Sequence, residues 1–290
     1  MLAVVGTVPD GQFPLTIGRM TLIDDTLCIN EKNIPVNRGT PALIGAAIKA
    51  GEVLGLDDIH GFLIGDIGRG HGSRELYRHL TKQLPEMRIK TLVFHYLQPD
   101  VDWHNKILFA VDTMEKKPVL IADAGFMYAA KMSGQARCYD MFTPDVGELA
   151  FLADEIAPHP FYTRGFILHE DNQVPDLIRR AYEHGNAAKH LLVKGCVDYV
   201  TNEEQIIASV DKPVAEAMEA MGGTGDTLTG IVSALVASGM NLSEAGETAA
   251  RTNRLAGVFA RPTPATQVME IIRQIPRALT EVLKSPHIKE

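Results

Sequence analysis

Met221-Gly222-Gly223-Thr224-Gly225-Asp226-Thr227-Leu228-Thr229-Gly230 is the stretch on which the reading of this chain turns. Its three glycines at 222, 223 and 225 let the backbone take positive φ and approach a ligand closely. Leu228, Ile231, Val232, Leu235 and Val236 follow at helical spacing, so the pattern predicts a tight loop opening a buried helix. Free N–H groups at such a start favour an anion. Asp226 sits at the mouth, where a carboxylate beside an anion is unfavourable unless it has work such as taking a proton. The local alternative is a glycine turn with Asp226 as an ordinary N-cap.

Outward from this loop the chain alternates short apolar runs with helical patterns. Leu2 to Val5 reads as a first strand, 7–19 as loop, and Met20 to Ile29 as a hairpin broken at Asp24-Asp25. Asn37-Arg38-Gly39-Thr40-Pro41 precedes a helix, with Thr40 as N-cap and Pro41 in the first turn. Further strands are expected at Phe62–Ile64, Thr91–Tyr96, Pro118–Ala122 and Leu191–Gly195, with a hairpin over 199–210, and Asp140-Met141-Phe142-Thr143 leads into the 143–148 loop. Helices are expected after Gly72 and Glu148, over about 176–188, from Glu244 to Phe259, and over about 266–283. Residues 157–175 read as loop or a lid-like insert. Continuous apolar strands imply a mainly parallel sheet covered on both faces, an α/β fold. No linker or repeat interrupts it, so one domain over 1–290 is expected. The Gly65–Gly72 loop, Asp123, the Thr143–Glu148 loop, Lys194-Gly195 and Gly222–Asp226 all follow strands, on the rim where such sheets bind ligands.

Bulk properties narrow the classes. Of 290 residues 46% are hydrophobic and 22% charged, which is ordinary for a globular protein. The net charge of -8 argues against a general nucleic-acid binder. Cys28, Cys138 and Cys196 show neither metal nor disulfide spacing, suit a reducing cytoplasm, and read as small core residues. No apolar run approaches the roughly 20 residues needed to span a bilayer, and no signal-peptide layout precedes Leu2. The histidines, among them His71, His95, His104, His159, His169 and His184, lack metal-like spacing and read mostly as surface or loop residues.

In family order, these landmarks resemble the ribokinase-like superfamily over roughly residues 36–283, which implies a three-layer α/β/α fold. Gly222-Gly223-Thr224-Gly225-Asp226 resembles the signature in which glycine N–H groups form an anion hole and the aspartate is the base. Thr143-Pro144-Asp145-Val146-Gly147-Glu148 resembles the loop whose Asp145 and Glu148 would hold Mg²⁺ through water; the local alternative is an acidic helix start. Leu192-Val193-Lys194-Gly195 resembles the strand end beside the nucleotide, although Lys194 could equally be a solvated strand end. Gly65-Asp66 with Gly68 resembles a loop of the sugar kinases. The resemblance extends to substrate contacts at Asn37, Gly39, Asp66 and Asp123, the last of which could instead be a strand-end cap.

Two branches compete within the superfamily. The segment from Ala220 to Gly257, the acidic strand end Ile121-Ala122-Asp123-Ala124 and the Thr-Pro-x-x-Gly-Glu form are similar to the NAD(P)H-hydrate dehydratases, which use ATP or ADP. That branch usually has His where this chain has Asp145, and Gly-Pro-Gly-Leu-Gly where it has Gly65 to Gly70. It also has an Asn shortly after the acidic strand end, a region that here holds Phe126 and Met127. The first two differences, and the hairpin over 20–34, lean toward kinases of sugars or other small alcohols. The dehydratase is the preferred reading and the kinase the alternative. Either implies a nucleotide, Mg²⁺, a small-molecule substrate, and Asp226 as the base that takes the hydroxyl proton. In the dehydratase the phosphorylated hydroxyl then leaves, pushed out by the ring nitrogen lone pair. A cytoplasmic homo-oligomer, with no membrane or nucleic-acid partner, is expected.

Overall fold

A computed structural model describes residues 1–155 and 174–285 of the chain. The expected 157–175 insert lies outside the described residues but for its last two, and so do His159 and His169. In chain order the elements are β1 (Leu2–Val8), β2 (Thr16–Ile23), β3 (Thr26–Ile29), β4 (Lys32–Pro35), α1 (Thr40–Leu54), β5 (Ile59–Gly65), α2 (His71–Gln83), β6 (Thr91–His95), α3 (Val101–Asp112), β7 (Val119–Ala122) and α4 (Gly125–Met132). They continue with β8 (Met141–Phe142), α5 (Val146–Ala153), α6 (Val174–Glu183), β9 (His190–Val193), β10 (Asp198–Asn202), β11 (Ile206–Val210), α7 (Thr224–Ser238), α8 (Leu242–Ala260), α9 (Val268–Ile272) and α10 (Ile275–Lys284).

The strands form one sheet in the order β11-β10-β9-β8-β7-β6-β1-β5-β2-β3-β4. From β9 to β5 neighbouring strands run parallel. Antiparallel strands extend both edges, β10 and β11 on one side and β2 to β4 on the other. Alternate residues of the central strands enter two separate cores. Leu2, Val4, Val93, Ile121 and Leu192 pack with α1, α7, α8, α9 and α10. Ala3, Val5, Phe94, Ala122 and Val193 pack with α2 to α6. A strand buried on both faces must be apolar at every position, which is why these strands read as continuous runs. The result is the expected three-layer α/β/α arrangement with a mainly parallel sheet.

Several local expectations change. β1 runs on through Gly6 to Val8 because Gly6 is a close-approach position, not a turn: a Cβ there would lie 2.5 Å from Thr40 Oγ1 and 2.7 Å from the His95 carbonyl oxygen. Gly39, not Thr40, is the N-cap of α1; the Thr40 hydroxyl is drawn instead to His95 Nδ1, 3.0 Å away. Part of the 7–19 loop is strand β2. The sequence pattern does not mark α3 and α4; α3 is capped by Asp100, whose carboxylate accepts the Trp103 N–H. The final helix is two, because Pro276 in the first turn of α10 has no N–H to continue the ladder. Cys138 and Cys196 are exposed and Cys28 is half-buried, so none is a core residue.

One packing contact positions the site. Helices α1 and α7 lie side by side in the same layer, and Gly230 of α7 faces the backbone of α1. A Cβ at 230 would come within 2.2 Å of the Leu43 carbonyl oxygen and 2.9 Å of Ala46 Cβ. Gly230→Ala is therefore expected to destabilise the fold by about 1–3 kcal/mol, the usual result of overpacking against rigid backbone. Gly222→Ala, whose new Cβ would meet only Arg38 Cδ at 3.7 Å, should change stability little. Urea denaturation midpoints of the two variants test this contrast.

Candidate active site

The parallel strands end on one rim, and the loops after β6, β7, β8 and β9 meet there with the start of α7. They enclose a cleft of about 800 Å³, within the range of small-ligand sites. Asp123, Asp145, Glu148, Lys194, Gly195, Gly223, Thr224, Gly225 and Asp226 all line it. Gly222 and Asn37 are not among its lining residues.

Asp226 is in the first turn of α7 but does not cap it; Gly223, at φ 99°, is the N-cap and supplies no side chain. Instead both Asp226 oxygens are held from other elements. The Gly39 N–H donates to Oδ2 at 2.6 Å, and His95 Nε2 lies 3.1 Å from Oδ1. A carboxylate only accepts, so Nε2 carries the proton and Nδ1 faces the Thr40 hydroxyl. His95 is fully buried. Burial pushes the Asp226 carboxyl up, but the His95 hydrogen bond and charge, the Lys194 ammonium and the Gly39 N–H outweigh it and hold the group below the usual carboxylate range. Asp226 is thus an ionised carboxylate in fixed orientation.

Next to it lies a buried ion pair. Lys194 Nζ donates to both Asp123 oxygens, at 3.0 and 2.9 Å. Asp123 also accepts from the Thr229 hydroxyl at 2.6 Å and from the Ala124 N–H at 2.8 Å. Its carboxylate is 1% exposed, so it supports Lys194 more directly than it meets a ligand. Burial works against the Lys194 charge, but Asp123, Glu148 and Asp226 hold it above the ordinary lysine range. The ammonium passes 3.7 Å from where a Cβ at Gly225 would stand. Lys194 therefore flanks the uncapped N–H groups of α7, and the absence of a side chain at 225 leaves it that room.

Asp145 and Glu148 form a reciprocal capping box at the start of α5, at 2.7 and 2.9 Å. This is the helix-start alternative in full, yet both residues also face the cleft. Glu148 Oε1 accepts the Tyr128 hydroxyl at 3.2 Å. Part of the Glu148 side chain is open to the cleft, but its carboxylate is desolvated and lies near Asp123 and Asp145. Burial first, then those charges, push it up to about 8. Among the described residues no group of three or more His, Cys, Asp or Glu stands close enough to hold a metal directly.

Asp66 is committed elsewhere. Its Oδ1 accepts the N–H groups of Gly68, Arg69 and Gly70, and its Oδ2 those of the Ser73 backbone and hydroxyl, all at 3.0 Å. It shapes its own loop, and the geometry assigns it no free acceptor toward the cleft. Three further residues hold the site without a spacing that marks them. His95 reads by spacing as a surface histidine, although it stands at the end of an apolar strand. Asn253 Oδ1 accepts the Thr227 hydroxyl at 2.6 Å while its Nδ2 donates to the Thr224 carbonyl at 3.1 Å, fixing the first turn of α7. Arg254 pairs with Asp198 at 2.7 Å and donates to the Gly195 and Cys196 carbonyls, fixing the loop after β9. His104 is likewise buried, between Tyr139 and Ser133.

Comparison with known proteins places this geometry. The fold is that of the ribokinase-like superfamily. A ribokinase-like protein of Enterococcus faecalis superposes over 97% of this chain and 86% of its own, with a TM-score of 0.59 at 13% identity. The phosphofructokinase-2 of Escherichia coli, in complex with fructose-6-phosphate, covers 96% and 99%, with a TM-score of 0.54 at 15% identity. The model of the NAD(P)H-hydrate dehydratase family matches residues 98–277, and the chain belongs to that family of enzymes. An uncharacterized protein of Methanocaldococcus jannaschii is 43% identical over 243 residues, 83% of this chain and all of that one. A bifunctional NAD(P)H-hydrate repair enzyme of Hyperthermus butylicus is 36% identical over 108 residues, 37% of this chain and 19% of that enzyme. Among the described residues no helix is long and apolar enough to cross a membrane.

The raised Glu148 carboxyl makes a linkage prediction. A group with a folded pKa of about 8 and an ordinary unfolded value keeps its proton longer in the folded state. Its contribution to stability is fully present below the unfolded value and is lost as pH rises to about 8. Glu148→Gln removes this loss. The variant should gain stability over the wild type progressively from about pH 4.5 to about pH 8 and by a constant amount above. Thermal melts of the ligand-free proteins across that range test it.

Proposed function

We propose that the chain dehydrates hydrated NADH or NADPH in an ATP- or ADP-dependent reaction, with Asp226 as the general base. The observation that carries this reading is the juxtaposition of one oriented carboxylate with the uncapped start of α7 and the Lys194 ammonium. A site that only bound an anion would gain nothing from Asp226 at that point.

The residues fit a nucleotide and a magnesium ion. The Gly223, Thr224 and Gly225 N–H groups, uncapped by any side chain, form the cradle for a terminal phosphate. Lys194-Gly195 and the segment Pro213 to Met218 border the same cleft and would meet the rest of the nucleotide. Asp145 and Glu148 keep lone pairs beyond their capping-box bonds, so they would hold Mg²⁺ through water. Mg²⁺ would also relieve the crowding of carboxylates that keeps a proton on Glu148. When bound, the nucleotide supplies the phosphoryl group that turns the substrate hydroxyl into a leaving group.

The chain's own groups do the rest. Asp226 accepts the hydroxyl proton as that oxygen attacks in line. Gly39 and His95 keep the carboxylate aimed and ionised, so the receiving oxygen needs no reorganisation. Lys194, held by Asp123, offsets negative charge that builds beside the cradle. Gly39 is reserved for Asp226.

A second reading, a kinase of a small alcohol, draws on the antiparallel β2–β4 extension at the β5 edge of the sheet, which corresponds to the hairpin expected from the sequence. It shares the opening proton transfer and differs in releasing a phosphorylated product.

The deciding assay incubates the protein with hydrated NADH, Mg²⁺ and either ATP or ADP and follows the return of NADH absorbance. Recovery with one nucleotide is expected; nucleotide consumption coupled only to a sugar or vitamin alcohol would sink the dehydratase reading. Asp226→Asn should lower turnover by about 10²–10⁴-fold, the usual contribution of a general base, with nucleotide binding retained. His95→Ala should lower kcat and move the acid limb of the pH profile upward, because Asp226 loses the partner that holds its carboxyl low. His95→Gln, which keeps an N–H donor, should restore part of both.

A further inference from the structure

Tyr96 borders the cleft and the chemistry above makes no use of it. It follows His95 at the end of β6 with φ at 50°, a left-handed conformation that bulky residues rarely adopt and that tends to mark functional positions. The Thr7 hydroxyl donates to its carbonyl at 2.6 Å and fixes that backbone. Tyr96 is 53% exposed. Its ring stands edge-to-face on the His95 imidazole, centroids 4.4 Å apart at 87°. Two ring carbons come within 3.8 and 3.9 Å of the position a Cβ at Gly39 would take. The ring thus packs on the His95 imidazole and beside Gly39, the two residues that hold Asp226. Gly39 has no side chain to cover the ring in turn.

We infer that Tyr96 is the platform on which the hydrated nicotinamide ring lies, which makes it a specificity-determining residue for the proposed reaction. The inference rests on the proposed role of Asp226 as base, because it is the nearness of Tyr96 to that carboxylate that brings a stacked ring within its reach. A ring laid on the exposed aromatic surface removes apolar area from water and gains a stacking contact. Tyr96 in this role sets which substrate binds, and leaves proton transfer to Asp226.

The test compares wild type with Tyr96→Phe, Tyr96→Ala and Tyr96→Asn, the last because asparagine tolerates the left-handed backbone. NADH, the ring in its repaired form, is titrated calorimetrically with the nucleotide site filled by a non-hydrolysable ATP analogue, whose own affinity is measured separately. Hydrated NADH is then used in steady-state turnover. Tyr96→Phe should match the wild type within about twofold, since the ring remains. Tyr96→Ala and Tyr96→Asn should weaken NADH binding and raise the KM for hydrated NADH by about tenfold, with kcat and analogue affinity unchanged. NADH affinity in Tyr96→Asn equal to the wild type overturns the inference. So does an equal loss of analogue affinity, or a wild type that binds no NADH. A wild type that binds NADH through Tyr96 yet does not repair hydrated NADH would leave the platform standing and remove the dehydratase reading alone.

Discussion

The carboxylate of Asp226 is held at both oxygens by groups more than a hundred residues away in sequence, and the site depends on that clamp. The Gly39 N–H comes from the start of α1 and the His95 imidazole from the end of β6. Both reach Asp226 only because α1 and α7 pack backbone against side-chain-free backbone at Gly230, and because Gly6 admits Thr40 and the His95 carbonyl above β1. A methyl group at either glycine would push apart elements that must meet within hydrogen-bonding distance. Fold stability and site geometry therefore rest on the same close approaches.

Around that clamp the electrostatics are unbalanced in a directed way. Asp123, Asp145, Glu148 and Asp226 share a cleft with Lys194 as the ammonium among them, and Arg254 is turned to Asp198 and backbone carbonyls. Lys194 is spent first on Asp123, the most buried of these acids. Asp226 is served by His95 and a backbone N–H, while Glu148 is left to desolvation and the crowding of neighbouring carboxylates. The carboxyl shifts follow from that allocation: down for Asp226, up for Glu148. Two acids lining one cleft thus hold opposite protonation tendencies, a pattern associated with divided chemical roles.

Much of this was legible beforehand. Continuous apolar runs at 2–5, 62–64, 119–122 and 191–193 became the central parallel strands because both of their faces are covered by helices. The glycine loop before α7, the Thr143–Glu148 helix start and the Lys194 strand end met at one cleft, since parallel strands end on one side. Residues whose meaning is set by a distant partner stayed hidden. Thr40 has the composition of an N-cap, yet a buried imidazole claims its hydroxyl. His95 has no spacing that marks it. Asp66 reads like a substrate contact, yet five donors of its own loop saturate it. Asn253 and Arg254 look like ordinary helix residues until α8 is laid beside the start of α7.

What the sequence determined alone was local: where the chain turns, which runs are apolar enough to be buried strands, and which loop could present bare N–H groups with a carboxylate behind them. Those properties depend on residues within a few positions of one another, through φ freedom, side-chain volume and hydrogen-bonding capacity. Only the tertiary structure decided which carboxylates are free and which are already held, which lysine answers which acid, and that a histidine at one strand end clamps Asp226. Protonation and hydrogen-bond assignment depend on distance in space, and in a parallel α/β sheet the nearest neighbours in space are remote along the chain.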